Sequence, residues 1–185
     1  MIWFVIGKAT KQSKTVGERA DMFCLKCGDE LEEKIVDGEP RIGCPSCDYV
    51  FFDNPVPIVA LILHSGDKLL MVRRKIDPPG RYAAIAGYLE KDESAEEAAV
   101  REAKEETGLD VVVDRVIGTY SCRTIGMNAV YISCLARVAG GELALGPEIA
   151  DAKYFSWDEL PAYRPGSPLS RALADWRVQE GRQSS

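Results

Sequence analysis

The chain has 185 residues, of which 46% are hydrophobic and 28% are charged, and its formal net charge is -6 at pH 7. This composition predicts a soluble globular protein made of one ordinary domain and a small additional module. The acidic balance argues against broad, salt-driven binding to nucleic acid, so we do not expect nucleic acid as a partner. The longest apolar run near the N-terminus, Ile2–Ile6, is too short to span a bilayer and lacks the features of a secretion signal. We therefore expect no membrane association and a cytoplasmic or otherwise reducing compartment.

The N-terminal extension, residues 1–21, has no motif that predicts its structure. Trp3, Phe4 and Ile6 are apolar enough to form an edge strand or to contact a partner. The extension is therefore assigned no role from the sequence.

Four of the six cysteines form two Cys-x-x-Cys pairs, Cys24–Cys27 and Cys44–Cys47, with sixteen residues and an Asp37-Gly38 turn between them. This spacing is typical of a zinc ribbon, in which four thiolates hold a tetrahedral Zn2+. Two disulfides would call for an export signal, and a redox pair would need neither the second pair nor the hairpin. We predict a structural zinc ribbon over residues 22–52, whose folding depends on the metal because so short a segment cannot build a core.

Residues 53–180 predict one α/β domain, and residues 181–185 predict a mobile polar tail. Runs rich in Val, Ile and Leu predict strands, and the stretch from Pro168 to Gln179 predicts a final helix. The only histidine, His64, lies beside a predicted hairpin turn, which argues against Ser-His-Asp or Cys-His catalysis. The predicted strands are Ile58–His64, Lys68–Arg74, Val111–Tyr120, Asn128–Val138 and Lys153–Trp157.

A second helix is predicted from Ser94 to Thr107, because Ser94 and Glu97 form a capping box and Gly108 can end the helix. At 3.6 residues per turn, Glu102, Glu105 and Glu106 share one face. Most charged helical faces are only solvated. Such a face would usually have lysines at these spacings, however, and three adjacent carboxylates repel one another unless a cation lies among them. Oxygen ligands suit Mg2+ or Mn2+, which commonly bind phosphate groups too, so this helix predicts metal-assisted phosphate chemistry.

The same segment resembles the Nudix box, G-x5-E-x7-R-E-U-x-E-E-x-G-U with U apolar. Every fixed position is filled, in the run Gly87-x5-Glu93-x7-Arg101-Glu102-Ala103-x-Glu105-Glu106-x-Gly108-Leu109. A zinc ribbon ahead of a Nudix domain is a known arrangement, so the resemblance extends over roughly residues 24 to 178. It is similar to the group that includes NADH pyrophosphatases and FAD or ADP-ribose pyrophosphatases. It implies a Nudix α/β/α sandwich with a mixed sheet, preceded by a small zinc ribbon.

The resemblance also implies roles for individual residues. Glu102, Glu105 and Glu106 would bind the divalent metals, and the backbone carbonyl of Gly87 would be a further ligand. Glu93 and Arg101 would form a structural salt bridge that braces the loop before the helix. A base must accept a proton from the attacking water, and two candidates remain open: Glu102, and Glu148 in the segment after the box.

Four further residues are candidates for substrate binding. Arg73 and Arg74 end a strand before the site and would contact phosphate, unless they are only a solvated strand end. Tyr82 stands where the family often has tryptophan, and Arg123 follows the strand after the box. The NADH pyrophosphatases carry the signature Ser-Gln-Pro-Trp-Pro-Phe-Pro, of which the equivalent region, residues 121–128, retains only the serine. Strict preference for NADH is therefore not expected.

The function expected from this resemblance is metal-dependent hydrolysis of a nucleoside diphosphate linked to another moiety, of the ADP-ribose, FAD or NAD(H) class. It would release a nucleoside monophosphate, with Mg2+ or Mn2+ as catalytic cofactor and Zn2+ as structural cofactor. The alternative is a non-catalytic nucleotide sensor that uses its ribbon to contact a partner, although the complete set of glutamates argues against it. RNA cap removal is disfavoured by the acidic balance. Because related enzymes are often dimers, a homodimer is expected.

Overall fold

In a computed structural model of the protein, the described residues are 22–124 and 127–180. The predicted N-terminal extension and C-terminal tail lie outside them. The chain divides into two compact units between Asp53 and Asn54. The first contains a three-stranded antiparallel sheet of β1 (Glu32–Val36), β2 (Glu39–Gly43) and β3 (Val50–Phe51). Asp37 and Gly38 both have positive φ, as a tight turn between β1 and β2 requires.

The second unit contains a six-stranded mixed sheet. Five strands follow the order β7-β8-β4-β5-β9, and β6 pairs with β4 beside β5. Only the β4–β8 pair is parallel. The elements are β4 (Val56–Ser65), β5 (Lys68–Arg74), β6 (Ile85–Tyr88), α1 (Ala95–Thr107), β7 (Leu109–Thr124), β8 (Met127–Gly141), β9 (Ile149–Ser156), a 3-10 helix (Trp157–Glu159) and α2 (Pro168–Gln179).

The two helices pack on opposite faces of this sheet. Because side chains alternate along a strand, the sheet contributes apolar residues to a separate core on each face. On the α1 face, the buried alanines Ala98, Ala99 and Ala103 contact a core that includes Leu61. These small side chains let the helix lie close to the sheet. On the α2 face, Trp176 packs in a second core with its neighbours on the helix and with alternate residues of the strands. The predicted α/β/α sandwich with a mixed sheet is confirmed.

Most predicted elements lie where the sequence placed them, and the helix over Pro168–Gln179 has the predicted bounds. Strand β6 was missed, because only Ile85–Tyr88 forms it and so short a segment shows no period. Strands β7 and β8 are longer than predicted at both ends, because they form one long hairpin whose ladder continues through less apolar residues.

Candidate active site

Helix α1 begins and ends at the residues that the capping signals predicted. The Ser94 side chain accepts a hydrogen bond from the backbone N–H of Glu97 at 3.2 Å, and the Glu97 carboxylate accepts one from the Ser94 N–H at 2.8 Å. At the other end Gly108 adopts a left-handed conformation and donates to the carbonyl of Lys104. These caps fix the rotation of α1 and so the directions of its glutamates.

Strand β6 passes close beside α1 at Gly87. A Cβ built on Gly87 would overlap the carboxylate of Glu102. A side chain at this position would have to displace the Glu102 carboxylate, so glycine lets the carboxylate lie against the strand.

Arg101 lies among the carboxylates of the box. Its Nε and Nη2 donate to the two oxygens of Glu93 at 3.1 and 2.7 Å, and its Nη1 donates to Glu102 at 2.7 Å and to Glu105 at 3.4 Å. Nη2 also donates to the carbonyl of Tyr88 at 3.1 Å. The guanidinium lowers the pKa of Glu93. The structure thus brings Glu93 and Arg101 into the bidentate pair that the resemblance implied.

Glu106 is the most buried glutamate of the three on this face. Its Oε1 accepts a hydrogen bond from Nη2 of Arg74 at 3.2 Å, whereas its Oε2 is buried and has no hydrogen-bond partner. Burial raises the pKa of Glu106 to about 7, although the nearby Arg74 acts in the opposite direction. Burial also raises the pKa of Glu102. Burial disfavours the bare anionic form of both carboxyl groups, so each is stabilised by a bound cation or by a proton.

The carbonyl of Gly87 does not face these acids. Leu89 donates its N–H to the carbonyl of Pro57, and Gly87 stands opposite Val59 two residues along the same antiparallel ladder. Backbone groups alternate in direction along such a ladder, so the Gly87 carbonyl points towards β4. The carbonyl of Ala86 points away from β4 and accepts a hydrogen bond from Arg74 at 2.6 Å. The expectation for Gly87 therefore changes: Gly87 makes room for Glu102, and Ala86 presents the carbonyl.

The loop after β8 brings Glu148 to the same end of α1. Gly146 donates its N–H to the carbonyl of Glu106 at 3.0 Å, and the carbonyl of Glu148 accepts from the N–H of Lys75 at 2.9 Å. A Cβ at Gly146 would overlap the Glu105 carbonyl. Glu148 is exposed, and its charge contributes to the raised pKa of Glu106. Residue spacing did not predict this proximity, which follows from the contacts of the loop with α1 and β5; the family resemblance was the signal for Glu148.

The other predicted substrate residues lie apart from the acids or make different contacts. By strand alternation Arg73 faces away from the α1 core, beside Asp151 in the β5–β9 ladder. Tyr82 is buried, packs edge-on against Phe155 at 5.0 Å between ring centroids, and donates its hydroxyl to Asp151. Arg123 is exposed, with its Nε 3.3 Å from the side-chain oxygen of Asn128. Their substrate contacts remain predictions.

The oxygen-rich cluster suits a hard divalent cation by its donor chemistry and by the unpartnered Oε2 of Glu106. Glu102, Glu105 and Glu106 do not converge on one point. Within residues 22–124 and 127–180, the only group of three or more potential ligand side chains whose atoms all lie within 4.8 Å of one another is the four cysteines. Arginine guanidiniums lie among the carboxylates instead.

The four cysteines of the first unit are close together and unbridged. Their sulfurs are 3.6 Å apart for Cys24 and Cys47, 3.4 Å for Cys27 and Cys44, and 3.9 Å for Cys27 and Cys47. Four thiolates around a tetrahedral Zn2+ would have sulfurs about 3.8 Å apart, from a Zn–S bond of about 2.3 Å. The cluster fits zinc, and a disulfide framework is not formed.

Two protein-family models together match almost all of the described residues. The NUDIX domain family matches residues 53–176, and the Nudix N-terminal zinc-ribbon family matches residues 22–53. This chain belongs to the Nudix family.

Curated relatives and solved structures agree with this assignment. The chain is 31% identical over 172 residues to the NAD-capped RNA hydrolase NudC of Stutzerimonas stutzeri and 32% identical over 161 residues to that of Pseudomonas entomophila. These matches cover 92% and 86% of this chain but 60% and 57% of the relatives, so the chain spans less than two thirds of their length.

A crystal structure of a NUDIX hydrolase from Nitrosomonas europaea is similar to the chain at a TM-score of 0.71 and 28% identity, covering 88% of this chain and 94% of that one. An ADP-ribose pyrophosphatase from Streptococcus suis is similar at a TM-score of 0.57 and 26% identity, covering 71% and 96%. No helix within the described part of this Nudix chain is long and apolar enough to cross a membrane.

Proposed function

We propose that this Nudix protein hydrolyses the pyrophosphate bond of a nucleoside diphosphate linked to another moiety. The observation that carries the proposal is the buried Oε2 of Glu106, which has no hydrogen-bond partner among the described residues and lies near a half-buried glutamate, Glu102. An unpartnered buried carboxylate oxygen is costly unless a cation or a proton satisfies it. The site lies on the segment that carries the complete Nudix box.

The ligand set proposed for Mg2+ or Mn2+ is Glu102, Glu105, Glu106 and the carbonyl of Ala86. When bound, the cation neutralises a diphosphate and lowers the pKa of a coordinated water. Arg101 orients Glu102 and Glu93 through charge-assisted hydrogen bonds. Water adds its oxygen to one phosphorus, the bridging oxygen leaves with the other phosphoryl group, and the released proton goes to a carboxylate. Glu102 and Glu148 are the two candidate acceptors.

Variants separate the two candidate bases. Replacing a ligand weakens Mn2+ binding, whereas replacing a base that is not a ligand lowers kcat and leaves Mn2+ binding intact. Glu102→Gln and Glu148→Gln should therefore be compared for kcat at saturating Mn2+ and for Mn2+ affinity without substrate. If Glu148→Gln loses kcat while it retains Mn2+ affinity, Glu148 is the base. If Glu148→Gln retains kcat, Glu102 is the remaining candidate, and Glu102→Gln should then lose both kcat and Mn2+ affinity because Glu102 is also a proposed ligand.

The proposed substrate class is ADP-ribose, FAD or NAD(H). The similarity to an ADP-ribose pyrophosphatase supports it, and the names of the curated relatives add NAD-capped RNA to the candidates. The net charge of -6 argues against RNA, as do the three basic and eight acidic residues between positions 22 and 53. The small-molecule class is therefore preferred, and NAD-capped RNA belongs in the test.

The test is a panel of ADP-ribose, FAD, NAD, NADH and NAD-capped RNA with Mg2+ or Mn2+, with the products resolved. The wild type should release AMP from at least one small molecule, and Glu106→Gln should lose most of that activity. Glu96→Gln, which changes an exposed glutamate on the same helix, is the matched control and should retain it. A wild type that binds nucleotide but hydrolyses nothing would support the sensor alternative.

A cytoplasmic location and a homodimer complete the proposal, and sedimentation would test the dimer.

A further inference from the structure

We propose that Arg74 is a positioning residue of the cation site rather than a contact to substrate phosphate; this rests on the proposed function. One nitrogen of its guanidinium, Nη2, donates both to the Ala86 carbonyl at 2.6 Å and to Oε1 of Glu106 at 3.2 Å. Arg74 is the last residue of β5, Ala86 lies on β6, and Glu106 lies near the end of α1. A single atom therefore holds together the three elements that form the site.

These two hydrogen bonds set the directions of the proposed ligands. The Oε1 bond fixes the Glu106 carboxylate so that its other oxygen, Oε2, remains buried and unpartnered. The bond to Ala86 holds the strand whose next residue, Gly87, must lie against Glu102. Arg101 holds the same strand from the following carbonyl, that of Tyr88. The carbonyls of the residues before and after Gly87 are thus each held by a guanidinium, from Arg74 and Arg101 respectively.

The same contacts argue against a phosphate role. The Arg74 side chain is 30% exposed, and its Nη2 already has two acceptors. The neighbouring Arg73 side chain makes no hydrogen bond or ion pair with any residue that the structure describes, but strand alternation directs it to the face of the sheet opposite the acids. The prediction that Arg74 contacts phosphate is therefore replaced by the positioning role, and the phosphate contact of Arg73 stays a prediction.

Electrostatics and positioning make opposite predictions for Arg74. Removal of a positive charge beside a cation site should by itself strengthen cation binding. Loss of a hydrogen bond that orients a ligand weakens it, typically about 10- to 100-fold for groups that orient metal ligands. The sign of the change in affinity therefore tests the proposal directly.

The experiment measures Mn2+ affinity of the full chain without substrate, from the electron paramagnetic resonance signal of free Mn2+. Arg74→Gln should weaken binding about 10- to 100-fold, and Arg74→Lys should recover part of the loss because an ammonium can still donate to both acceptors. Arg137→Gln is the matched control, since it removes an exposed guanidinium whose one ion pair within the described residues is with Asp114, and it should bind Mn2+ like the wild type. Thermal unfolding of each variant checks folding, and Arg74→Lys carries the test alone if Arg74→Gln does not fold.

Steady-state kinetics distinguish positioning from a phosphate contact. At saturating Mn2+, Arg74→Gln should leave the KM of the best substrate of the panel unchanged. Unchanged or tighter Mn2+ binding together with a raised KM would overturn the proposal and restore the phosphate contact. If the wild type hydrolyses no member of the panel but Arg74→Gln still loses Mn2+ affinity, the proposed function fails while the positioning role stands.

Discussion

Gly87 and Glu102 lie so close together that no side chain larger than a hydrogen fits between them. The contact joins the strand before the box to the middle of α1. It gives a steric reason for glycine at the start of the box, because a methyl group there would displace the Glu102 carboxylate.

Gly87→Ala should therefore reduce Mn2+ affinity about tenfold or more, because the new methyl group displaces the Glu102 carboxylate. The measurement is Mn2+ binding by calorimetry, with thermal unfolding to verify the fold. Gly140→Ala is the control: its nearest atom to the new Cβ would be the Asp110 Oδ2 at 3.7 Å, an ordinary contact. Equal Mn2+ affinity in both variants would contradict the close contact.

The affinity for Mn2+ should depend on pH through Glu106, whose pKa burial raises to about 7. A proton on this carboxylate competes with the cation, so affinity should rise about tenfold per pH unit below about pH 7 and level off above it. Titrations between pH 5.5 and 8.5 would show this. Glu106→Gln should bind weakly with a flatter profile, whereas a wild-type profile that is flat across this range would refute the assignment.

Removal of zinc should unfold the ribbon. Cys44 is buried beside the other three sulfurs, and the short sheet around them has little core of its own. Cys44→Ser should lose one bound zinc per chain and the dispersed amide resonances of residues 22–53, as measured by metal analysis and NMR. Cys122→Ser, outside the cluster, should keep its zinc. Full zinc content in Cys44→Ser would show that the metal is held elsewhere.

The packing of α2 against the sheet should depend on Tyr120. This residue is buried, and its hydroxyl donates to Asp175 at 2.7 Å. Tyr120→Phe should lower the free energy of unfolding by about 1 kcal/mol, as expected for one lost hydrogen bond. Tyr154→Phe is the control, since the described residues offer that hydroxyl no partner and the residue is 39% exposed. Chemical denaturation would compare them, and equal losses would mean that the Asp175 contact does not stabilise the fold.

The sequence predicted those parts of the fold that local patterns encode. The Ser94 and Gly108 caps set the bounds of α1, and apolar runs located all but one of the strands in the second unit. It missed β6, which has only four residues and depends on its pairing with β4. Local pattern carries no information about such pairing, because the partners are distant in the chain.

The candidate site was predicted only in part, because some of its contacts join residues that are distant in the chain. Helical spacing placed Glu102, Glu105 and Glu106 on one face, and the resemblance supplied the pair of Glu93 and Arg101. The contacts of Arg74 could not be read from the sequence, since they depend on β5 and β6 meeting the end of α1. The carbonyl proposed as a metal ligand likewise changed from Gly87 to Ala86, because the pairing of β6 with β4 determines which carbonyls point away from β4.

The most direct test of the central claim is a crystal of the protein soaked in Mn2+ and a non-hydrolysable ADP-ribose analogue, with the metal located by anomalous scattering. We expect a peak in coordination contact with Oε2 of Glu106, the carbonyl of Ala86 and the Glu102 carboxylate, with the diphosphate of the analogue beside it. A map with no peak there, in which the carboxylates remain bonded only to Arg74 and Arg101, would contradict the account.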